Sequence, residues 1–335
     1  MKATAFAALH PSLKLHPIEI EIKEPGPHEA MIQITHCSVG RGDIGFLENT
    51  YQTPDLTYPL VAGHELIGII SKRGTAVTKF KVGDRVGVGY QVWSCGKCDY
   101  CLGCHEELCP NQKCLVLHEQ GGFASHITVD ERFIFKIPEQ LDSASATPLL
   151  CSGLTTFSAI KKANVKPTMN TGVIGIGGLG HLTIQLLHQR GAVVTAFTSK
   201  LDEIDAIKKL GANQVVAYES ASLKNGSYDR LFITTPAQIT YDYYLQLLKP
   251  DGELWVIGSA IQKTQFSSWL LNDFSSRSIR GSYIGSPNEM RELLALAAEH
   301  NIHGSVKTVP MKQINEALRT VANGSNDFRT VVTND

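Results

Sequence analysis

Gly175-Ile176-Gly177-Gly178-Leu179-Gly180 constrains the fold of this chain more than any other stretch. It follows an apolar run at 173–176 and opens onto helical spacing over 179–189, closed by Gly191. In that strand–turn–helix setting the three spaced glycines have separate roles. Gly175 permits the tight turn, Gly177 lets backbone approach a pyrophosphate, and Gly180 lets the helix pack on the strand. Gly178 lies within the same turn. The first amides of the helix then face the phosphates. A glycine-rich turn without a ligand is the plainer alternative.

Strands and helices alternate from about residue 143 onward. Strands are expected at 193–197, 231–234 and 253–257, and helices at 202–210 and 241–248. Such alternation predicts a parallel sheet with helices on both faces. The end of the second strand reports on the dinucleotide. An acid there would bind a ribose 2′-hydroxyl, but this chain has Thr198-Ser199-Lys200. Two hydroxyls and a cation suit a 2′-phosphate, so NADP(H) is expected over NAD(H). The alternative is that Lys200 points to solvent.

Residues 1–150 read differently. Runs at 30–35, 66–71 and 84–89 are strand-like and lie between Pro/Gly punctuation such as Pro25-Gly26-Pro27. Near the other end, 287–300 and 310–323 have amphipathic helical spacing, and 328–333 reads as a strand. Cys95-x2-Cys98-x2-Cys101-x7-Cys109 suits a tetrahedral zinc closed to water, hence structural. Cys104 extends the run and Cys109 precedes Pro110, so spacing alone leaves iron–sulfur ligation open. Cys104 and Cys114 are read as spare thiols.

The 335 residues exceed one ordinary domain. With 31 basic and 32 acidic residues, nothing favours nucleic acid or an anionic membrane as a partner. The first apolar stretch ends at His10-Pro11, too short for a secretory segment, and no later run spans a membrane. A cytoplasmic location is expected. In a reducing compartment eight cysteines point to metal or reactivity rather than disulfides.

These features, with Gly63-His64-Glu65, Phe80-Lys81-Val82-Gly83-Asp84-Arg85-Val86, Pro148-Leu149-Leu150-Cys151 and Ala298-Glu299-His300, resemble the zinc-dependent medium-chain alcohol dehydrogenases. The resemblance is closest to the cinnamyl-alcohol-dehydrogenase-like, NADP-preferring branch, and it covers nearly the whole chain. It implies an α/β architecture: a GroES-like β-rich catalytic domain over 1–147 and 288–335, with a zinc lobe at about 93–112. A Rossmann domain with a doubly wound parallel sheet would be inserted over 148–287. It also implies a homodimer, a small alcohol or aldehyde substrate, and an active site in the cleft.

The resemblance carries residue roles. His64 and Cys151 match zinc ligands, and Glu65 matches the acid beside that metal. Asp43 matches the carboxylate that orients the histidine. Thr155 falls where the family contacts nicotinamide, and Leu179 falls behind its ring. Arg41 and Arg329 match the two arginines that grip the pyrophosphate.

Three positions depart from the pattern. The family's first zinc cysteine falls at Gly40, its relay hydroxyl at Gly42 and its relay histidine at Gly45. Cys37 could replace the missing ligand only through a three-residue slip that misplaces Arg41 and Asp43 and reverses side-chain facing. Two outcomes stay open. His64, Glu65 and Cys151 could hold a catalytic zinc with water as fourth ligand. The chain is then an NADP(H)-dependent oxidoreductase interconverting alcohols and aldehydes by hydride transfer, with an incomplete zinc site. Otherwise it is a zinc-free enone or quinone reductase, or a non-catalytic NADPH-binding protein. Residues 45–59, with Phe46, Leu47, Tyr51 and Tyr58, are either a pocket rim or inward packing.

Overall fold

The computed structural model describes residues 1–54, 56–258, 263–272, 274–324 and 328–334. The chain forms two compact units, Met1–Cys151 with Ser286–Asp335, and Ser152–Gly285.

The first unit is built around the strand Glu29–Val39. Its Ala30, Met31, Ile32, Ile34, Cys37 and Val39 are buried, and Ile and Val suit a pleated surface. Three strands pair with it antiparallel: Leu66–Arg73, His126–Asp130 and Arg329–Thr333. Arg85–Val88, Phe135–Lys136 and Val306–Pro310 complete the seven-stranded sheet. Val86, Val88, Phe123 and Phe133 fill the core against it. The N-terminal hairpin Lys2–Ala8 and Leu15–Glu21 lies outside this sheet.

The helix Pro287–His300 begins where its sequence signals place it. Pro287 occupies the first turn, and Ser286 and Glu289 cap each other reciprocally. Met290, Leu293, Leu294 and Ala297 form its buried stripe. The helix expected over 310–323 starts later. Pro310 instead ends the strand Val306–Pro310, paired to Thr333, and a 3₁₀ turn leads into the helix Ile314–Ala322. A fixed proline φ suits either role, and the strand partner decides it.

The second unit holds a six-stranded, all-parallel sheet. Its order is Gln214–Ala217, Val193–Thr198, Asn170–Ile174, Tyr228–Ile233, Leu248–Val256, Ser278–Gly281. Counted along the chain this is 3-2-1-4-5-6, the order of a dinucleotide-binding doubly wound sheet. Tyr241 and Tyr244 of the helix Tyr241–Leu247 are buried, while Tyr243 is half-buried, as expected of one packed face. Among the described residues no helix is long and apolar enough to cross a membrane.

Candidate active site

Strand register assembles a cluster in the first unit. Cys37 pairs with Leu66 across the sheet, which sets the end of Glu29–Val39 beside Gly63, His64 and Glu65. Val39 also pairs with Thr330, so Arg329 arrives opposite Gly40. Gly40 caps the short helix Arg41–Leu47, which carries Asp43. Cys151 follows the 3₁₀ turn Thr147–Leu150. A methyl at Gly87 would lie 2.7 Å from Leu150, so glycine there lets this turn sit against the strand Arg85–Val88.

Asp43 is fully buried and accepts three hydrogen bonds. Gly40 N donates at 2.8 Å, Gly63 N at 2.9 Å and His64 Nδ1 at 2.8 Å. Burial pushes its carboxyl upward, but His64 and the two amides outweigh burial and hold it below the usual carboxylate range. Burial likewise opposes a charged imidazole at His64. Asp43 and Cys151 overcome it and hold His64 well above the usual imidazole range. The donor atoms of His64, Glu65 and Cys151 lie within 4.8 Å of one another. Among the sequence-predicted residues, these three and Asp43 therefore come together, and Arg329, expected at the pyrophosphate, joins them through Glu65.

Cys37 does not join them. Its thiol packs where methyls at Gly63 and Gly122 would come within 2.7 and 2.9 Å. Burial first, then the charges of Asp43 and Glu65, push this thiol well above the usual range. The pairing shifts by one residue between Ile34 and His36 and then sets Cys37 opposite Leu66, so the strand carries a one-residue irregularity and not a three-residue slip.

Side chains from elsewhere fill the three glycine gaps. A methyl on Gly42 would lie 3.2 Å from His64 Cε1, and one on Gly45 would run into the ring of Tyr51. A methyl on Gly40 would lie 2.6 Å from Nη1 of Arg329. The same guanidinium places Nη2 3.5 Å from Glu65 Oε1, both residues being buried. Three donors converge here, but a cation fills the place of the missing one and Glu65 is paired to it. As placed, this set does not fit a four-coordinate zinc.

The cysteine lobe does fit one. The sulfurs of Cys95, Cys98, Cys101 and Cys109 all lie within 4.8 Å of one another. Two separations are 3.9 Å (Cys95–Cys101) and 3.5 Å (Cys98–Cys101). A tetrahedral zinc with ordinary Zn–S bonds needs edges of about 3.8 Å. An iron–sulfur cluster would spread its sulfurs further than a single ion does. The backbone N–H groups of Lys97 and Cys98 draw the Cys95 thiol down to about 6. At Cys98 the backbone N–H of Cys101 is outweighed by burial and the neighbouring sulfurs, which push that thiol up to about 11, so without a metal the cluster shares out its protons unevenly. Cys104 is exposed and Cys114 buried, and neither joins the group.

In the second unit the glycine turn leaves the C-terminal end of Asn170–Ile174, beside the point where strand order reverses. Gly175 has φ +96°, and a methyl there would press on Thr235 at 2.5 Å. Nothing lies within 4 Å of where a methyl on Gly177 would sit, so the turn is open to a ligand. Leu179 caps the helix Gly180–Gln189, and buried His181 binds the Gly177 carbonyl at 2.9 Å. Thr198 ends its strand and accepts from Lys200 N at 3.0 Å, and Ser199 is exposed. Lys200 Nζ lies 3.3 Å from Glu203. Thr155 is buried in the helix Ser152–Lys162, and Arg41 is exposed in the first unit.

Sequence reading missed Tyr90, whose ring meets His64 edge-on at 5.9 Å and stacks with Phe46 at 6.3 Å. Nothing in its spacing marks it. Of the rim candidates, Leu47 is fully buried, whereas Phe46, Tyr51 and Tyr58 are partly buried. Residue 55 of that segment lies outside the described residues.

Residues 26–139 match the alcohol dehydrogenase GroES-like domain, and residues 178–299 match the zinc-binding dehydrogenase family. The chain is 35% identical to "Aldehyde reductase YahK" of Escherichia coli, covering 100% of this chain and 99% of that one. It is 34% identical to "Probable formaldehyde dehydrogenase AdhA" of Bacillus subtilis, covering 96% and 95%. A crystal structure of CAD from Helicobacter pylori complexed with NADP(H) superimposes with a TM-score of 0.93. The two chains are 27% identical, over 99% of this chain and 98% of that one.

Proposed function

The chain belongs to the zinc-binding, medium-chain alcohol dehydrogenase family, and on that footing we propose an NADP(H)-dependent oxidoreductase that interconverts alcohols and aldehydes. The observation that carries this reading is the open glycine turn after the first strand of a 3-2-1-4-5-6 sheet, followed by Thr198-Ser199-Lys200.

NADPH, when bound, supplies the hydride. This chain's residues do the rest. The turn at Gly175, Gly177, Gly178 and Gly180 and the helix N-terminus behind it receive the pyrophosphate. Thr198, Ser199 and Lys200 would hold a 2′-phosphate, and Lys200 lies 3.3 Å from Glu203. By the family resemblance Thr155 and Leu179 would contact the nicotinamide, and Arg41, which is exposed, would be a cation for the phosphates. At the reacting carbonyl, His64 is the proton donor to the developing alkoxide, because Asp43 stabilises its charged ring. Cys95, Cys98, Cys101 and Cys109 hold a structural zinc.

A homodimer is part of the proposal. Among the described residues Ser278–Gly281 ends its sheet with one edge unpaired, and Trp269, Phe274 and Tyr283, close to it in sequence, are exposed. An open strand edge and exposed apolar side chains favour pairing with a second copy. A cytoplasmic location fits eight cysteines that form no disulfide.

The test is NADPH consumption by the purified protein with aldehydes, quinones and enones in parallel. Aldehyde turnover above the other two classes supports the reading. Turnover confined to quinones or enones, or none despite NADPH binding, overturns it.

A further inference from the structure

Gly42 and Gly45 make room for rings, His64 and Tyr51, but Gly40 makes room for a charge. Arg329 is 8% exposed and Glu65 is 1% exposed, so their contact is screened little by water. Glu65 is also one of the three residues whose donor atoms converge with His64 and Cys151. Its carboxylate thus faces two demands, a guanidinium already present and any ion the three residues would share. The guanidinium stands on the side where a donor at position 40 would complete the shell. A fixed cation there raises the energy of a dication nearby and withholds the carboxylate from it.

We propose that Arg329 is a built-in competitor for metal at this second set of donors. Tight zinc is confined to the cysteine lobe, and neutralising or displacing the guanidinium opens His64, Glu65 and Cys151 to an ion. The idea concerns the site of the proposed oxidoreductase, but its test counts metal rather than turnover. Aldehyde assays and metal counts therefore fail independently.

Gly40 has φ −120° and ψ 166°, a conformation that any residue adopts, so side chains can be added there without backbone strain. Gly40→Ala then pushes Nη1 aside and adds no donor, whereas Gly40→Cys adds a thiolate as well. The measurement is zinc per chain at controlled free zinc. It is paired with cobalt titration, in which thiolate ligation by Cys151 gives a charge-transfer band in addition to that of the lobe.

Wild type is expected to hold one tight zinc per chain. Arg329→Gln is expected to bind a second ion at least about tenfold more tightly than wild type. Arg329→Lys, which keeps the charge, stays near wild type. Gly40→Ala gains affinity for the second ion, and Gly40→Cys gains more. Two tight zincs in wild type would overturn the proposal. So would a folded Arg329→Gln whose second-site affinity matches wild type. If Arg329→Gln fails to fold, Gly40→Ala decides in the same way, and no gain there refutes the proposal.

Discussion

Asp43 gathers N–H donors from Gly40, Gly63 and His64 onto one carboxylate with no exposed surface. Asp43→Asn keeps the shape but replaces one acceptor oxygen with an NH₂ group that must face a donor. Hydrogen bonds to a buried charge are worth about 1.5–3 kcal/mol, so a stability loss of that order is expected. It should appear as a lower urea midpoint with an unchanged m-value. The Asp43–His64 pairing was legible in sequence, because both residues fall within recognisable motifs. The Arg329 contact was not. A glycine at position 40 states only what is missing, and the filling side chain is set by the register between Val39 and Thr330. Tyr90 was equally silent, being one aromatic after a strand with no spacing that marks it.

Asp142 shows the same chemistry at the start of an element. It caps the helical turn Ser143–Ala146, accepting from Ser145 N at 3.0 Å. Asp142→Ala should cost about 1 kcal/mol, as lost N-caps do. The Ser145 amide holds the Asp142 carboxyl below its usual value. A depressed carboxylate contributes fully above its unfolded-state pKa and loses that contribution as pH falls through its folded value. The gap between wild type and Asp142→Ala should therefore be constant near neutrality and close below the usual carboxylate range, as followed by thermal melts across acid pH. Elements were legible where every local signal agreed, as in Pro287–His300, with its proline, reciprocal cap and apolar stripe. Arg41–Leu47 escaped notice, since it contains Gly42 and Gly45 and owes its first turn to Asp43. The helix expected from 310 began late because a proline cannot announce whether a strand ends or a helix begins.

The two units differ in how they depend on metal. All eight cysteines lie in the first, Met1–Cys151 with Ser286–Asp335, and the second contains none. A zinc held by four thiolates contributes directly to folding free energy. Chelation is therefore expected to lower the melting temperature of the first unit and leave that of Ser152–Gly285 unchanged. Calorimetry with and without chelator should resolve one transition moving away from a fixed one. Cys95→Ser should reproduce the chelated profile. The division into a β-rich part and an alternating part was readable because hydrophobic period and glycine placement change together.

The ion pair of Glu65 and Arg329 joins residues 264 positions apart in the chain. During translation the carboxylate is made before the parallel sheet, and its counter-charge only after it. Until then this ion pair cannot form, so this corner of the β-rich unit seals only after the parallel sheet has been made. A nascent chain stalled before Arg329 should accordingly remain open to protease there while the parallel sheet, wholly synthesised by then, is already resistant.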